Sequence, residues 1–118
     1  MMNKRRFGII GEKIAQGYLI NKGYKILDTN FYTKKGEIDI IAQKDNIIIF
    51  VEVKTRSNFQ YGTPAMAVNY IKKKHLKTVA KIFLHKNFLY GYDVRFDVVE
   101  IFINEGKCKI NHIEGINT

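Results

Sequence analysis

Cysteine, proline and acidic residues are scarce in this 118-residue chain: one Cys, one Pro, and eleven Asp plus Glu against twenty Lys plus Arg. The lone Cys108 excludes an internal disulfide and suits a reducing compartment, so a cytoplasmic location is expected. His75, His85 and His112 are scattered without ligand spacing, and no cysteine cluster accompanies them, which argues against zinc. Each histidine reads as a surface or satisfied side chain. No apolar run approaches the roughly 20 residues of a membrane span, so no membrane partner is expected. Lys4-Arg5-Arg6 resembles the basic start of a signal peptide, but Phe7-Gly8-Ile9-Ile10 is too short for its core and runs into Glu12. The shortage of acid leaves a formal charge of +9, which suits a polyanion, nucleic acid before any other.

What remains is ordinary globular composition, enough for one core but not two, so residues 1–118 are expected to form a single domain. Residues Phe7 to Lys22 read as a helix ended by Gly23, with Ile14, Ala15, Tyr18 and Leu19 as its apolar stripe. Gly8, Gly11 and Gly17 disfavour that helix and are expected to permit close packing instead. Tyr24 to Tyr32 reads as a strand. After a polar loop over 57–62, Thr63-Pro64 signals a second helical segment from about Ala65 to Leu84, either continuous or broken near Asn69-Tyr70. Its buried stripe is Ile71, Leu76, Val79, Ala80, Phe83 and Leu84. Lys72, Lys73, Lys74, Lys77 and Lys81 oppose it without acidic partners, so they are candidates for phosphate contact. Tyr92 to Ile103 is an alternating strand largely buried on both faces, and Cys108 to Ile113 a short last one.

The stretch from Gly36 to Arg56 carries the chemistry. Two runs rich in β-branched residues flank a polar break at Gln43–Asn46, the pattern of a β-hairpin. Alternation puts Glu37 and Asp39 on one face, Ile38 and Ile40 on the other, and Glu52 with Lys54 opposite Val51 and Val53. If Asp45-Asn46 is a two-residue turn, facing residue numbers sum to 91, so Asp39 faces Glu52 and Glu37 faces Lys54. Two carboxylates about 5 Å apart repel by roughly 3 kcal/mol at an effective dielectric near 20. A hard divalent cation shared between them removes that cost, since Mg²⁺ takes one or two carboxylates and keeps several waters. The ordinary alternative is a solvated strand face with a Glu37–Lys54 surface ion pair. It fits poorly with so apolar a run as Ile47-Ile48-Ile49-Phe50-Val51. Glu12, on its own, reads as a glutamate favoured in the first turn of a helix.

The order helix, three strands, helix, strand and a short final strand is an α/β arrangement. With Asp39 and Glu52-Val53-Lys54 it resembles the restriction-endonuclease-like fold and its PD-(D/E)xK signature: a mixed central sheet flanked by helices. Ile38 stands where that pattern has proline. The whole chain resembles the YraN family of small bacterial proteins, through Gly11-Glu12 with Ala15, Gly23-Tyr24, Gly36-Glu37-Ile38-Asp39, Phe50 to Arg56, Tyr61-Gly62-Thr63-Pro64 and Arg95-Phe96-Asp97-Val98-Val99. That family is similar to archaeal Holliday-junction resolvases, in which a glutamate on the first helix joins the metal site. The resemblance therefore brings Glu12 into the site. It implies Mg²⁺ or Mn²⁺ held by Asp39, Glu52, Glu12 and the backbone carbonyl of Val53, with Lys54 orienting or activating the attacking water. Arg56 and the second-helix lysines Lys72, Lys73, Lys74 and Lys77 would hold the phosphate backbone. The implied activity is metal-dependent endonuclease cleavage of nucleic acid, DNA more than RNA, of branched form, by a homodimer. A non-cleaving nucleic-acid-binding module of the same fold is the alternative, and an interaction protein whose carboxylates merely solvate a sheet edge a third.

Overall fold

The computed structural model describes residues 3–57 and 70–116, with side chains in the second stretch from residue 75 onward. Helix α1 spans Lys4–Asn21, and strands β1 Lys25–Thr33, β2 Gly36–Lys44 and β3 Ile47–Arg56 follow. Helix α2 covers Tyr70–Lys86, then come β4 Asp93–Asn104 and β5 Lys107–Ile113. The five strands form one sheet in the order β1-β2-β3-β4-β5, antiparallel except for the parallel pair β3 and β4. A parallel neighbour needs a crossover, and the segment containing α2 makes it. This is the expected α/β layout, a mixed sheet with flanking helices. Thr63-Pro64 and the loop before it lie outside the described residues.

Alternation along the strands builds two cores. Ile41, Ile48, Phe50, Phe96 and Val98 pack on Leu76, Val79, Ala80 and Phe83 of α2. Ile40, Ala42, Ile49, Val51, Val99 and Ile101 pack on Ala15 and Leu19 of α1 from the other side. The alternation expected for residues 92–103 holds, since Val98 and Val99 fall into different cores.

Helix α1 begins at an Asn3 cap, whose side chain accepts from Arg6 N at 2.8 Å, and its first turn has no acidic residue. Lys4, Arg5 and Arg6 therefore oppose the helix dipole, and the cap offsets part of that cost. Of the three helix glycines, Gly11 alone meets a neighbour: an added Cβ would stand 1.9 Å from Thr55 Oγ1. Around Gly8 and Gly17 the space is open, so close packing accounts for neither.

The Asp45-Asn46 turn sets the β2–β3 register as expected, from Lys44 opposite Ile47 to Ile40 opposite Val51. Asp45 takes the left-handed backbone such tight hairpins require, at φ 53°. The ladder ends at Ile40 and Val51, however. Residues 36–38 of β2 stay paired with β1, and residues 52–56 of β3 stay paired with β4. The sheet therefore forks between β2 and β3, and everything chemically unusual lies at that fork.

Candidate functional site at the sheet fork

The fork corrects two sequence expectations. Ile38 packs in the core beneath α2 while Ile40 packs beneath α1, so these residues do not share a face. The alternation breaks at Asp39, between them. Asp39 bridges the gap: its Oδ2 accepts the Val53 N–H at 2.8 Å. A strand N–H with no facing carbonyl needs some acceptor, and the carboxylate supplies it. Glu37 does not meet Lys54 as an extended ladder would require. Lys54 Nζ stands 3.5 Å from Glu52 Oε1 instead, both on the α2 face of β3.

A cleft of about 320 Å³ opens here, lined by Gly36, Glu37, Asp39, Glu52, His75 and Leu76. Glu52 is nearly buried, at 5% exposure. Glu12 approaches from the α1 side, carried there by the contact of Gly11 with Thr55 on β3. Burial pushes the Glu12 carboxyl up; a hydrogen bond from Asn30 opposes this, and the negative charges of Glu37 and Glu52 add to the rise. The Asn30 amide, in the orientation that satisfies both acceptors, donates to Glu12 Oε1 at 2.9 Å and Glu37 Oε1 at 3.2 Å.

The structure thus brings Asp39, Glu52, Lys54 and Glu12 to one end of the sheet. The other candidates are more spread out. Arg56 Nε donates to Glu100 Oε2 at 3.0 Å, and Glu100 is wholly buried and also accepts from Asn111 Nδ2 at 3.0 Å. Lys77 is exposed on α2. Lys72, Lys73 and Lys74 belong to α2, but their side chains lie outside the described residues. Asn30, which bonds Glu12 and Glu37, and His75, which lines the cleft, are not marked by the sequence. Asn30 gives one signal, a strand residue with left-handed backbone at φ 52°, which sequence does not display. His75 lines the cleft and has no motif to mark it.

Asp39, Glu52 and Glu12 are all oxygen donors, the chemistry a hard divalent cation prefers. Among the described residues, no three or more His, Cys, Asp or Glu side chains stand close enough together to hold a metal ion. Two carboxylates lining one cleft, with water completing the shell, is nevertheless a sufficient protein share for Mg²⁺. Asp39 and Glu52 fit such an ion, whereas Glu12 is tied through Asn30 to Glu37 in this conformation.

Among the described residues, no helix is long and apolar enough to cross a membrane. The model of the Uncharacterised protein family UPF0102 matches residues 11–101. A UPF0102 protein of Alkaliphilus oremlandii (strain OhILAs) is 50% identical over 115 residues, 96% of this chain and 97% of that one. One from Alkaliphilus metalliredigens (strain QYMF) is 49% identical over 109 residues, 92% and 95% of the two chains. One from Syntrophomonas wolfei subsp. wolfei (strain DSM 2245B / Goettingen) is 46% identical over 109 residues, again 92% and 95%. The crystal structure of SSO0001 aligns at a TM-score of 0.38 and 21% identity, over 94% of this chain and 52% of that one, a likeness too distant to carry an argument. On sequence, the chain belongs to the UPF0102 family, which is the YraN family its motifs resemble.

Proposed function

We propose that this chain is a metal-dependent endonuclease that hydrolyses phosphodiester bonds in nucleic acid, DNA before RNA. The observation that supports the reading best is the fork. There the sheet gives up ladder pairing, and Asp39 and Glu52 line one cleft with the Lys54 ammonium 3.5 Å from Glu52. A fold built only for stability would close the ladder and keep like charges apart.

Asp39 and Glu52 would hold Mg²⁺ or Mn²⁺ with the Val53 carbonyl as a further oxygen, and Glu12 would join them on leaving its Asn30-bridged position beside Glu37. When bound, the ion polarises the phosphate and offsets the negative charge that builds during cleavage. The Val53 N–H fixes the Asp39 carboxylate, so little rotamer freedom is lost when that carboxylate binds a ligand. Lys54 places a positive charge at the cleft to stabilise the developing phosphate charge. Arg56, oriented by Glu100, and the lysines of α2 would steer the phosphate backbone.

Calorimetric titration with Mn²⁺ beside a cleavage assay tests this. Asp39→Asn retains an oxygen for the Val53 N–H but loses the charge. It should fold like the parent, bind Mn²⁺ at least about ten-fold more weakly, as even loss of an outer-shell partner does, and fail to cleave. A variant that binds Mn²⁺ and cuts like the parent means that the site is wrong. The second reading, a binding module that does not cleave, draws on Glu12, which is held through Asn30 against Glu37. Metal binding by the parent without product from single-stranded, duplex or branched substrates would favour that reading.

A further inference from the structure

The hairpin joining β1 and β2 ends at the mouth of the cleft. Tyr32 pairs directly across from Glu37, and Thr33 from Gly36; Glu37 and Gly36 both line the cleft. Lys34 and Lys35 form the turn and are exposed, and Tyr32 is 74% exposed although it sits in a strand. The tip is held firmly. Thr33 Oγ1 donates to Gly36 O at 3.1 Å and accepts from Lys35 N at 3.0 Å. Gly36 lies so close to α2 that an added Cβ would stand 3.4 Å from Val79 Cγ2 and 3.8 Å from His75 Cβ.

A single exposed aromatic residue needs no explanation. Tyr32 differs in its company. Glu12, Glu37, Asp39 and Glu52 crowd this end of the sheet, and a polyanion approaching them is repelled unless cations stand nearby. Lys34 and Lys35 are such cations on a rigid turn. One cross-strand spacing and two residues of strand rise separate Tyr32 from Asp39, about 8 Å of backbone. That is two to three bases at roughly 3.4 Å each along one strand. An aromatic side chain binds a base through its π-face, which a continuous duplex covers and an unpaired base exposes.

We propose that Tyr32, Lys34 and Lys35 form a nucleic-acid contact at the cleft mouth. Tyr32 stacks on an unpaired base and the lysines take its flanking phosphates. The favoured ligand therefore has unpaired bases beside the cleft, as single-stranded and branched nucleic acids do, rather than continuous duplex. This rests on the nucleic-acid reading above and narrows its substrate class.

Fluorescence anisotropy in EDTA, with single-stranded, forked and blunt-duplex DNA of equal length, tests it without cleavage. Tyr32→Ala and Tyr32→Leu should each weaken the single-stranded and forked probes about ten-fold, and blunt duplex by under about two-fold. Tyr32→Phe should stay within about two-fold of the parent on every probe, because the ring remains. Lys34→Ala with Lys35→Ala should weaken all three probes and reduce the salt slope by about one to two. Thermal melts of each variant separate loss of contact from loss of fold, and Tyr32→Leu keeps apolar bulk should Tyr32→Ala melt early. Equal losses on blunt and unpaired probes, or none on either, overturn the contact while leaving the nucleic-acid reading intact. A parent that binds no probe even at low salt overturns both.

Discussion

Carboxylates in two regions of this small domain, Asp97 on β4 and Glu12 at the fork, are pushed in opposite directions by their surroundings. Asp97 on β4 is buried at 1% exposure, with Arg95 Nη2 at 2.8 Å, His112 Nε2 at 2.7 Å and the Gly115 N–H at 3.0 Å. Burial pushes its carboxyl up, but the hydrogen bonds from His112, Arg95 and Gly115 outweigh that and hold it below the usual carboxylate range. The partners are themselves satisfied: Arg95 reaches Tyr24 OH at 2.6 Å and Glu114 at 3.1 Å, and His112 Nδ1 meets Tyr18 OH at 3.0 Å. An ionised Asp97 only accepts, so Nε2 of His112 carries the proton toward it. At the fork, Glu12 has an amide for its partner and two carboxylates for neighbours, and its carboxyl is pushed up. Asp97 finds its cation and its hydrogen-bond donors within the fold. The fork concentrates negative charge around a cleft, an arrangement that the proposed external cation would relieve.

The largest expected effect breaks the structural group. Asp97→Asn leaves the partly buried Arg95 guanidinium with only the exposed Glu114 as counter-charge, and should destabilise by about 3 kcal/mol, the low end for breaking a buried pair, read by denaturant unfolding. The parent's own pH dependence follows from the lowered Asp97 carboxyl. Its contribution is full above the ordinary Asp range and is lost as pH falls through the lower folded value. Unchanged stability in Asp97→Asn would mean that this network is no more structural than the fork.

An intermediate effect is expected at Gly11. Gly11→Ala drives a methyl into Thr55, so α1 must move away from β3 at a cost of about 1–3 kcal/mol. The same shift exposes Glu12 to water and withdraws it from Glu37 and Glu52, so its carboxyl should titrate closer to the ordinary glutamate range, followed by NMR. A destabilised variant with unaltered Glu12 titration would show that Gly11 serves packing alone.

Much of this contrast could be read from sequence, and the limits have physical causes. The Asp45-Asn46 turn was decisive: a two-residue loop leaves one register, and Ile40 opposite Val51 follows from it. That register could not reveal where pairing stops. Ladder geometry alone continues to Glu37 opposite Lys54, whereas Asp39 captures the Val53 N–H and the strands part. On α2, Leu76, Val79, Ala80 and Phe83 were legible because periodicity is local, with Leu84 partly buried beside them; the Ile71 side chain lies outside the described residues. Asn30 was not, since its role depends on Glu12 eighteen positions earlier in the sequence and Glu37 on the next strand. His112 reads from sequence as either a surface or a satisfied histidine; it is a satisfied one, and its partners Asp97 and Tyr18 come from two other elements.

The smallest effect is the sharpest test of the comparison. Glu12→Gln keeps an oxygen for Asn30 and removes one charge from the fork. The folded carboxyl titrates above its unfolded value, so between the two the folded parent binds more protons than the unfolded chain. Its stability then falls as pH rises through that window and remains lower above it. The variant has no such proton to lose. It should match the parent in acid and exceed it at neutral pH, by under about 1 kcal/mol because Glu12 is only partly buried. Saturating Mn²⁺ should reverse the order, since a bound cation stabilises the ionised carboxylate and raises the parent's melting temperature more than the variant's. Melts across pH, with and without Mn²⁺, measure both signs. A Glu12→Gln chain that is less stable at every pH, and equally responsive to Mn²⁺, would make Glu12 an ordinary partly buried glutamate in the middle of α1, not the first-turn residue its sequence suggests, and leave Asp39 and Glu52 as the whole of the site.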